Sequence, residues 1–374
     1  MKRGLAPLLM LAGLMQFHPF ASAQIQKKTV AASKRRVVAR RPPPVDPTLG
    51  DNVDGDDLVV RRAAVEALGP QNGSVVVVDP NNGHVLTIVN QKLALAGGFT
   101  PCSTIKLVTA LAALSEQVVS RGDTIHLTRY LSFNMDEALA HSNNEYFGEL
   151  GKRLGYDRVE RYAKMLGLGE PAGLDIPGEQ AGLLPTGPPK AGGMGLLTAY
   201  GEGFHVTPLQ LAALVAAIAN GGTLYYLQYP RTPYDLEHFA PRVKHPLELA
   251  ATGIDDVRIG MRGAVDHGTA RLANYDPAEP LFGKTGTCTD YQAGEHMGWF
   301  GSFMESGSNR LVVVVMLANP VRSVSGPGAS AVAGAVYKSL AEQHYVATLK
   351  KSDLPEIITT TPASPGGPSA PTGH

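Results

Sequence analysis

The stretch Ser103-Thr104-Ile105-Lys106-Leu107-Val108-Thr109-Ala110-Leu111-Ala112-Ala113-Leu114 governs how the rest of the chain is read. It is apolar nearly all round, which predicts a helix buried in the middle of the protein. Pro101, just ahead, suits an approach loop that is not yet helix interior. Within this apolar segment Ser103 and Lys106 stand three residues apart, so a helix places hydroxyl and amine on one face. A lysine among Ile105, Leu107 and Val108 is desolvated, and burial lowers its pKa toward that of a base able to take the serine proton. Ser103 at the helix N-terminus also puts a backbone N–H and the positive end of the dipole where an oxyanion would develop. The alternative for Lys106 is a helix lysine with a buried stem and a solvated amine.

Outward from this helix the pattern alternates between sheet and helix. Val75 to Val78, the turn Asp79-Pro80-Asn81-Asn82-Gly83 and Val85 to Val89 predict a β-hairpin. Thr207-Pro208-Leu209-Gln210 combines an N-cap, a first-turn proline and a capping-box glutamine, opening a second core helix that closes at Asn220-Gly221-Gly222. From Asp136 to Met165 the pattern is helical with charged faces, which predicts a mostly α lobe. Strands are predicted at Leu281 to Thr287, Met297 to Met304 and Leu311 to Leu317, and a closing helix from Ala329 to His344. The fold class is therefore an α/β sandwich: a mostly antiparallel sheet flanked by N- and C-terminal helices, with an inserted all-α lobe.

Composition narrows the function. With 44% hydrophobic and 18% charged residues, most of the 374-residue chain can bury a core. Lys+Arg 33 balances Asp+Glu 33, so no global basic field draws it to nucleic acid. The eleven histidines show no H-E-x-x-H or comparable spacing; no metal site is expected, and His141, His205, His267 and His296 are read as structural or surface residues. G-x-x-x-x-G-K loops and a G-x-S-x-G elbow are absent, and no cofactor is expected.

Residues 1–23 read as a signal peptide: Lys2 and Arg3, an apolar run from Gly4 to Met15, then Ala21-Ser22-Ala23. An uncleaved membrane anchor is the alternative, although the run is short for a bilayer core of roughly 30 Å. Residues 24–56 read as a basic, Pro-containing linker that is solvated or rests on an anionic surface. Residues 57–346 form the expected folded domain, and 347–374 a Pro/Thr/Ser/Gly tail too poor in buriable side chains to order itself. The protein is thus expected to be exported, to the periplasm or the cell envelope.

Three short motifs follow in order: Ser103-Thr104-Ile105-Lys106, Ser142-Asn143-Asn144 and Lys284-Thr285-Gly286. Ser132-Phe133-Asn134 also fits S-x-N, but its neighbours lack further likeness. Ser142 could relay a proton between Lys106 and a leaving nitrogen, and Asn144 could bond a substrate amide; the alternative is a plain helix cap. Lys284 and Thr285 on an edge strand would bind a substrate carboxylate, with Gly286 allowing close backbone approach and the Thr287 N–H as second oxyanion donor.

These motifs make the chain resemble, over about 290 residues, the transpeptidase domain of penicillin-binding proteins, relatives of the serine β-lactamases. The likeness extends to Ala138-Leu139-Ala140-His141 before Ser142, to Gly173-Leu174-Asp175-Ile176-Pro177-Gly178-Glu179, to Gly201-Glu202-Gly203, to Gly268-Thr269-Ala270 and to Trp299-Phe300. The resemblance implies a β-lactamase/transpeptidase-like fold and an acyl-serine enzyme. Ser103 would attack D-Ala-D-Ala in peptidoglycan stem peptides and be acylated by β-lactams. A serine β-lactamase and a non-catalytic β-lactam or wall sensor are the alternatives; an E-x-x-L-N run is missing, and Leu168-Gly169-Glu170 stands where a Y-G-N would be. Only 39 positions separate Ser103 from Ser142, which implies a trimmed lobe. The resemblance also suggests a Cys102–Cys288 disulfide, placed as in carbapenem-hydrolysing class A β-lactamases, against two buried thiols. Oligomeric state is not legible.

Overall fold

The computed structural model describes residues 46–345 except 251, 292, 293, 307, 308 and 322. The expected signal peptide, linker residues 24–45 and the tail from 347 lie outside the described residues.

Helix α1 (Leu58–Leu68) is opened by Asp57, whose carboxylate accepts the N–H groups of Val59 and Val60. Strands β1 (Gly73–Asp79) and β2 (His84–Val89) form the expected hairpin. The central helix α2 (Lys106–Ser115) follows a 3₁₀ turn over Cys102–Ile105. Next come α3 (Met135–Ala140), α4 (Asn144–Leu154), α5 (Tyr156–Met165) and α6 (Gly193–Tyr200). Then α7 (Pro208–Ala219), buried along its whole length behind its capping box, and α8 (Gly253–Asp266) complete the insertion. Strands β3 (Leu281–Asp290), β4 (Glu295–Ser306) and β5 (Asn309–Asn319) and helix α9 (Gly326–Glu342) close the fold.

The sheet runs β2-β1-β5-β4-β3, antiparallel throughout, with β3 at its edge. Central β5 explains why the chain needs two helical layers. Val312, Val314 and Met316 point into one core with α2 and α7, while Leu311, Val313, Val315 and Leu317 point into another with α1 and α9. An apolar run with a period of two has no polar face to leave wet, so both sides must be covered.

The helical stretch predicted from Asp136 to Met165 is three helices, broken at His141-Ser142-Asn143 and at Gly155. Helices α6 and α8 and the short helices Gln91–Ala94 and Pro233–Glu237 escape the sequence pattern, as do two small ribbons that pair Ile125–His126 with Ser132–Phe133 and Thr223–Tyr225 with Val243–Pro246. The S-x-N look-alike at Ser132 is resolved: Asn134 is the N-cap of α3 and accepts the Glu137 N–H at 3.0 Å.

The linker reading fails for residues 46–56, which pack on the domain. Arg61 of α1 holds Asp51 and Asp56 at 2.8 Å each, with both carboxylates almost wholly enclosed. Asp51 also accepts the N–H groups of Asn90 and Gln91, and Asp56 accepts the hydroxyls of Thr87 and Tyr229. This segment is anchored by charge and hydrogen bonds instead of apolar periodicity, so hydropathy patterning could not reveal it. Replacing Arg61 with Ala strands two buried carboxylates, and we expect a loss of about 3–5 kcal/mol in urea denaturation; an unchanged midpoint would contradict the packing.

Candidate active site

The loop leading to Ser103 is pinned from the sheet. Asp290, at the end of β3, accepts the Thr100 N–H and hydroxyl, both at 3.0 Å, and the Trp299 indole donates to the Thr100 carbonyl at 3.0 Å. The Pro101 carbonyl accepts the Thr104 N–H at 3.2 Å and hydroxyl at 2.7 Å, closing the 3₁₀ turn. In such a turn residues three apart eclipse, so Ser103 and Lys106 lie one above the other. Cys102 takes a left-handed φ of 52° and is disulfide-bonded to Cys288 of β3, with Cα atoms 5.6 Å apart. A Cβ on Gly286 would lie 2.9 Å from the Pro101 carbonyl oxygen and 3.2 Å from the Cys102 Cβ. What approaches Gly286 closely is therefore the protein's own turn ahead of Ser103.

Lys106 has no solvent exposure. Its Nζ lies 2.7 Å from the Ser142 carbonyl, 2.6 Å from Asn144 Oδ1 and 3.1 Å from the Ser142 hydroxyl. These three atoms converge because the chain reverses between α3 and α4. Ser142 adopts φ 54°, a conformation that costs an L-residue roughly 1–2 kcal/mol. The reversal is held by the Asn143 N–H on the Ala138 carbonyl at 2.9 Å and by Asn143 capping α4 through the Tyr146 N–H at 2.8 Å. The strained serine thus presents both its oxygens to one amine.

Ser103, nearly buried, donates to the Ala199 carbonyl at 3.4 Å, and Lys106 makes no hydrogen bond to it. The two groups share a turn without touching in this state. Catalytic hydrogen bonds are often long or broken before substrate binds.

Lys284 departs from the expected role. It is wholly buried, and its ammonium donates to the Thr285 carbonyl at 3.0 Å, so it has no surface with which to meet a substrate carboxylate. Burial pushes its pKa down to about 7. Burial first, and then the charge of Lys284, hold Lys106 well below the ordinary lysine range. The hydroxyls of Thr285 and Thr287 follow Lys284 on β3. Thr285 shares a 2.6 Å hydrogen bond with Thr269, and exposed Thr287 accepts the Gly326 N–H at 2.8 Å.

Two contributors were not assigned a role from sequence. Tyr200, at the end of α6, accepts the Asn144 side-chain amide at 2.8 Å, and Ala199 beside it receives Ser103. Thr269 stood within a quoted likeness, but no local signal links it to Thr285. A hollow of about 570 Å³ opens beside Asn144 and Tyr200, between α4 and the start of α6.

Residues 73–342 match the penicillin binding protein transpeptidase domain. The chain belongs to that family. Stage V sporulation protein D of Bacillus subtilis is 29% identical over 307 residues, covering 70% of this chain and 46% of the relative. Peptidoglycan D,D-transpeptidase MrdA of Haemophilus influenzae is 24% identical over 345 residues, covering 70% and 52%. The chain spans about half the length of the curated relatives it matches. Among solved structures, the transpeptidase domain of Burkholderia pseudomallei penicillin-binding protein 3 superposes with a TM-score of 0.65 at 20% identity, over 78% of this chain and 96% of that one. Pseudomonas aeruginosa PBP2 gives 0.63 at 24% identity, over 78% of each chain. The mixed α/β fold is that of these transpeptidase domains.

The buried lysines make stability depend on pH. An unfolded lysine keeps its proton to about pH 10, whereas folded Lys284 loses it near 7. Across that window the unfolded state binds more protons, so raising pH favours the fold. We expect the urea midpoint to climb between about pH 7.5 and about pH 9.5, and the climb to flatten in Lys284→Met. A pH-independent midpoint would show that Lys284 is charged in the fold.

Proposed function

We propose that the chain is an acyl-serine enzyme, a DD-transpeptidase or DD-carboxypeptidase acting on D-Ala-D-Ala stem peptides and acylated by penicillins. One observation carries this reading: an amine buried in an apolar helix and oriented by Ser142 and Asn144, one turn from the Ser103 hydroxyl. A neutral amine has two N–H donors and one lone pair. The Ser142 carbonyl and Asn144 Oδ1 accept the two donors, which leaves the lone pair for a hydroxyl.

In the proposed reaction the Ser103 hydroxyl turns from Ala199 toward that lone pair and attacks the carbonyl carbon of the D-Ala-D-Ala amide. Its proton passes to Lys106 and, through the Ser142 hydroxyl, to the departing D-alanine nitrogen. The backbone N–H groups of Ser103 and Thr287 receive the oxyanion. The substrate carboxylate is met by the Thr285 and Thr287 hydroxyls, and burial, reinforced by Lys284 when that lysine is charged, keeps Lys106 neutral. An amine or water then takes the acyl group from Ser103.

Hydrolytic turnover of β-lactams needs a positioned base for water, and Glu170 and Glu179, which follow α5, are otherwise engaged. Glu170 pairs with His245 at 2.6 Å and Lys244 at 3.2 Å, and Glu179 accepts the Ala172 and Gly173 N–H groups. The Cys102–Cys288 bond suits an oxidising compartment, in keeping with export to the periplasm or envelope.

Fluorescent penicillin should form one long-lived adduct per chain on Ser103, and a D-Ala-D-Ala pentapeptide should lose D-alanine; Ser103→Ala should do neither. Multiple-turnover hydrolysis of nitrocefin would move the assignment to a β-lactamase, and an adduct without peptide turnover to a sensor. The acylation rate should fall on acidification as Lys106 protonates. In residual Lys284→Met activity that fall should begin at higher pH, because the like charge depressing Lys106 is gone.

A further inference from the structure

Glu137, His141 and His267 form an exposed cluster whose candidate ligand atoms all lie within 4.8 Å of one another. Glu137 Oε2 is 3.3 Å from His141 Nε2, and Glu137 Oε1 is 3.4 Å from His267 Nε2. Tetrahedral zinc with bonds of about 2.0–2.1 Å keeps its ligand atoms about 3.3–3.4 Å apart, the spacing that each imidazole nitrogen already has from the carboxylate oxygen it faces. Turning the half-exposed carboxylate and the two rings, whose centroids stand 5.6 Å apart, brings one oxygen and both nitrogens to a common centre.

The backbone around the cluster also favours a cation. Asn134 sets the start of α3, which places Glu137 and His141 one turn apart on a single face. His141 is the C-cap of α3 and His267 the C-cap of α8, so two helix C-termini with their negative dipole ends converge on the cluster. They converge because Gly268 lies against α3, where any Cβ would collide with the Ala140 carbonyl. The Glu137 carboxylate has no side-chain partner among the described residues apart from these two rings. All three side chains are half-exposed, leaving room for water as a fourth ligand.

We infer that Glu137, His141 and His267 form a binding site for one divalent transition-metal ion, of which zinc suits two imidazoles and a carboxylate best. The ion binds Nε2 of each histidine and the Glu137 carboxylate, and water completes the tetrahedron. It clamps the segment that leads into Ser142 to the segment that leads into Thr269. The inference does not depend on the acyl-transfer reading, and its test uses no penicillin.

Calorimetric titration of the tag-free full chain with zinc should show one equivalent bound with a micromolar Kd. His141→Gln, His267→Gln and Glu137→Gln, all at exposed positions and checked for folding by circular dichroism, should each weaken that step at least tenfold. Cobalt(II) should give the visible bands of a tetrahedral site in the wild type and lose them in His267→Gln. Zinc should raise the thermal midpoint of the wild type alone. No stoichiometric step in the wild type, or a step that survives in all three variants, would overturn the site.

Discussion

The structure depends on enclosing the amine of Lys106 while giving it three oxygen partners. A charged ammonium without such partners costs several kcal/mol to bury, and the same burial is what makes the amine a base. The apolar helix α2 supplies the enclosure. The partners come from a reversal between α3 and α4 that forces Ser142 into a left-handed conformation. Strain at Ser142 and desolvation at Lys106 are held by the packing around them, as expected where function sets local geometry against stability.

The second constraint is the join between the turn that carries Ser103 and the sheet. Asp290 and Trp299 hold Thr100, the disulfide holds Cys102, and Gly286 admits the turn against β3. These contacts reach the residues just before Ser103 from two strands nearly two hundred positions away. Lys284 of β3 is shut off from solvent, and Thr285, almost as buried, bonds to Thr269. The family match over residues 73–342 places this join within a penicillin binding protein transpeptidase domain.

Much of the fold was legible because its elements carry strong local signals. The capping box at Thr207, the turn at Asp79 to Gly83 and the unbroken apolar β5 each name their own structure. Elements without such signals were missed. Helix α6 is rich in glycine and small residues, α8 mixes polar and apolar positions, and residues 46–56 are anchored by Asp51 and Asp56 on Arg61. The single helical stretch read from Asp136 to Met165 hid the break at Ser142, since no residue there is a glycine or proline.

The sequence by itself determined the residue types of the site and their order: a hydroxyl and a lysine in an apolar helix, Ser142 and Asn144 together, and a lysine, threonine and glycine on a strand. Local spacing suffices for that, because a helix or strand fixes which near neighbours share a face. Only the tertiary structure decided that Lys106 bonds to Ser142 and Asn144 while Ser103 bonds to Ala199, that Lys284 is buried, and that His141 meets His267 across one carboxylate. Those pairings join segments far apart in the chain. Their distances follow from how whole helices and the sheet pack, and no local pattern of residues encodes them.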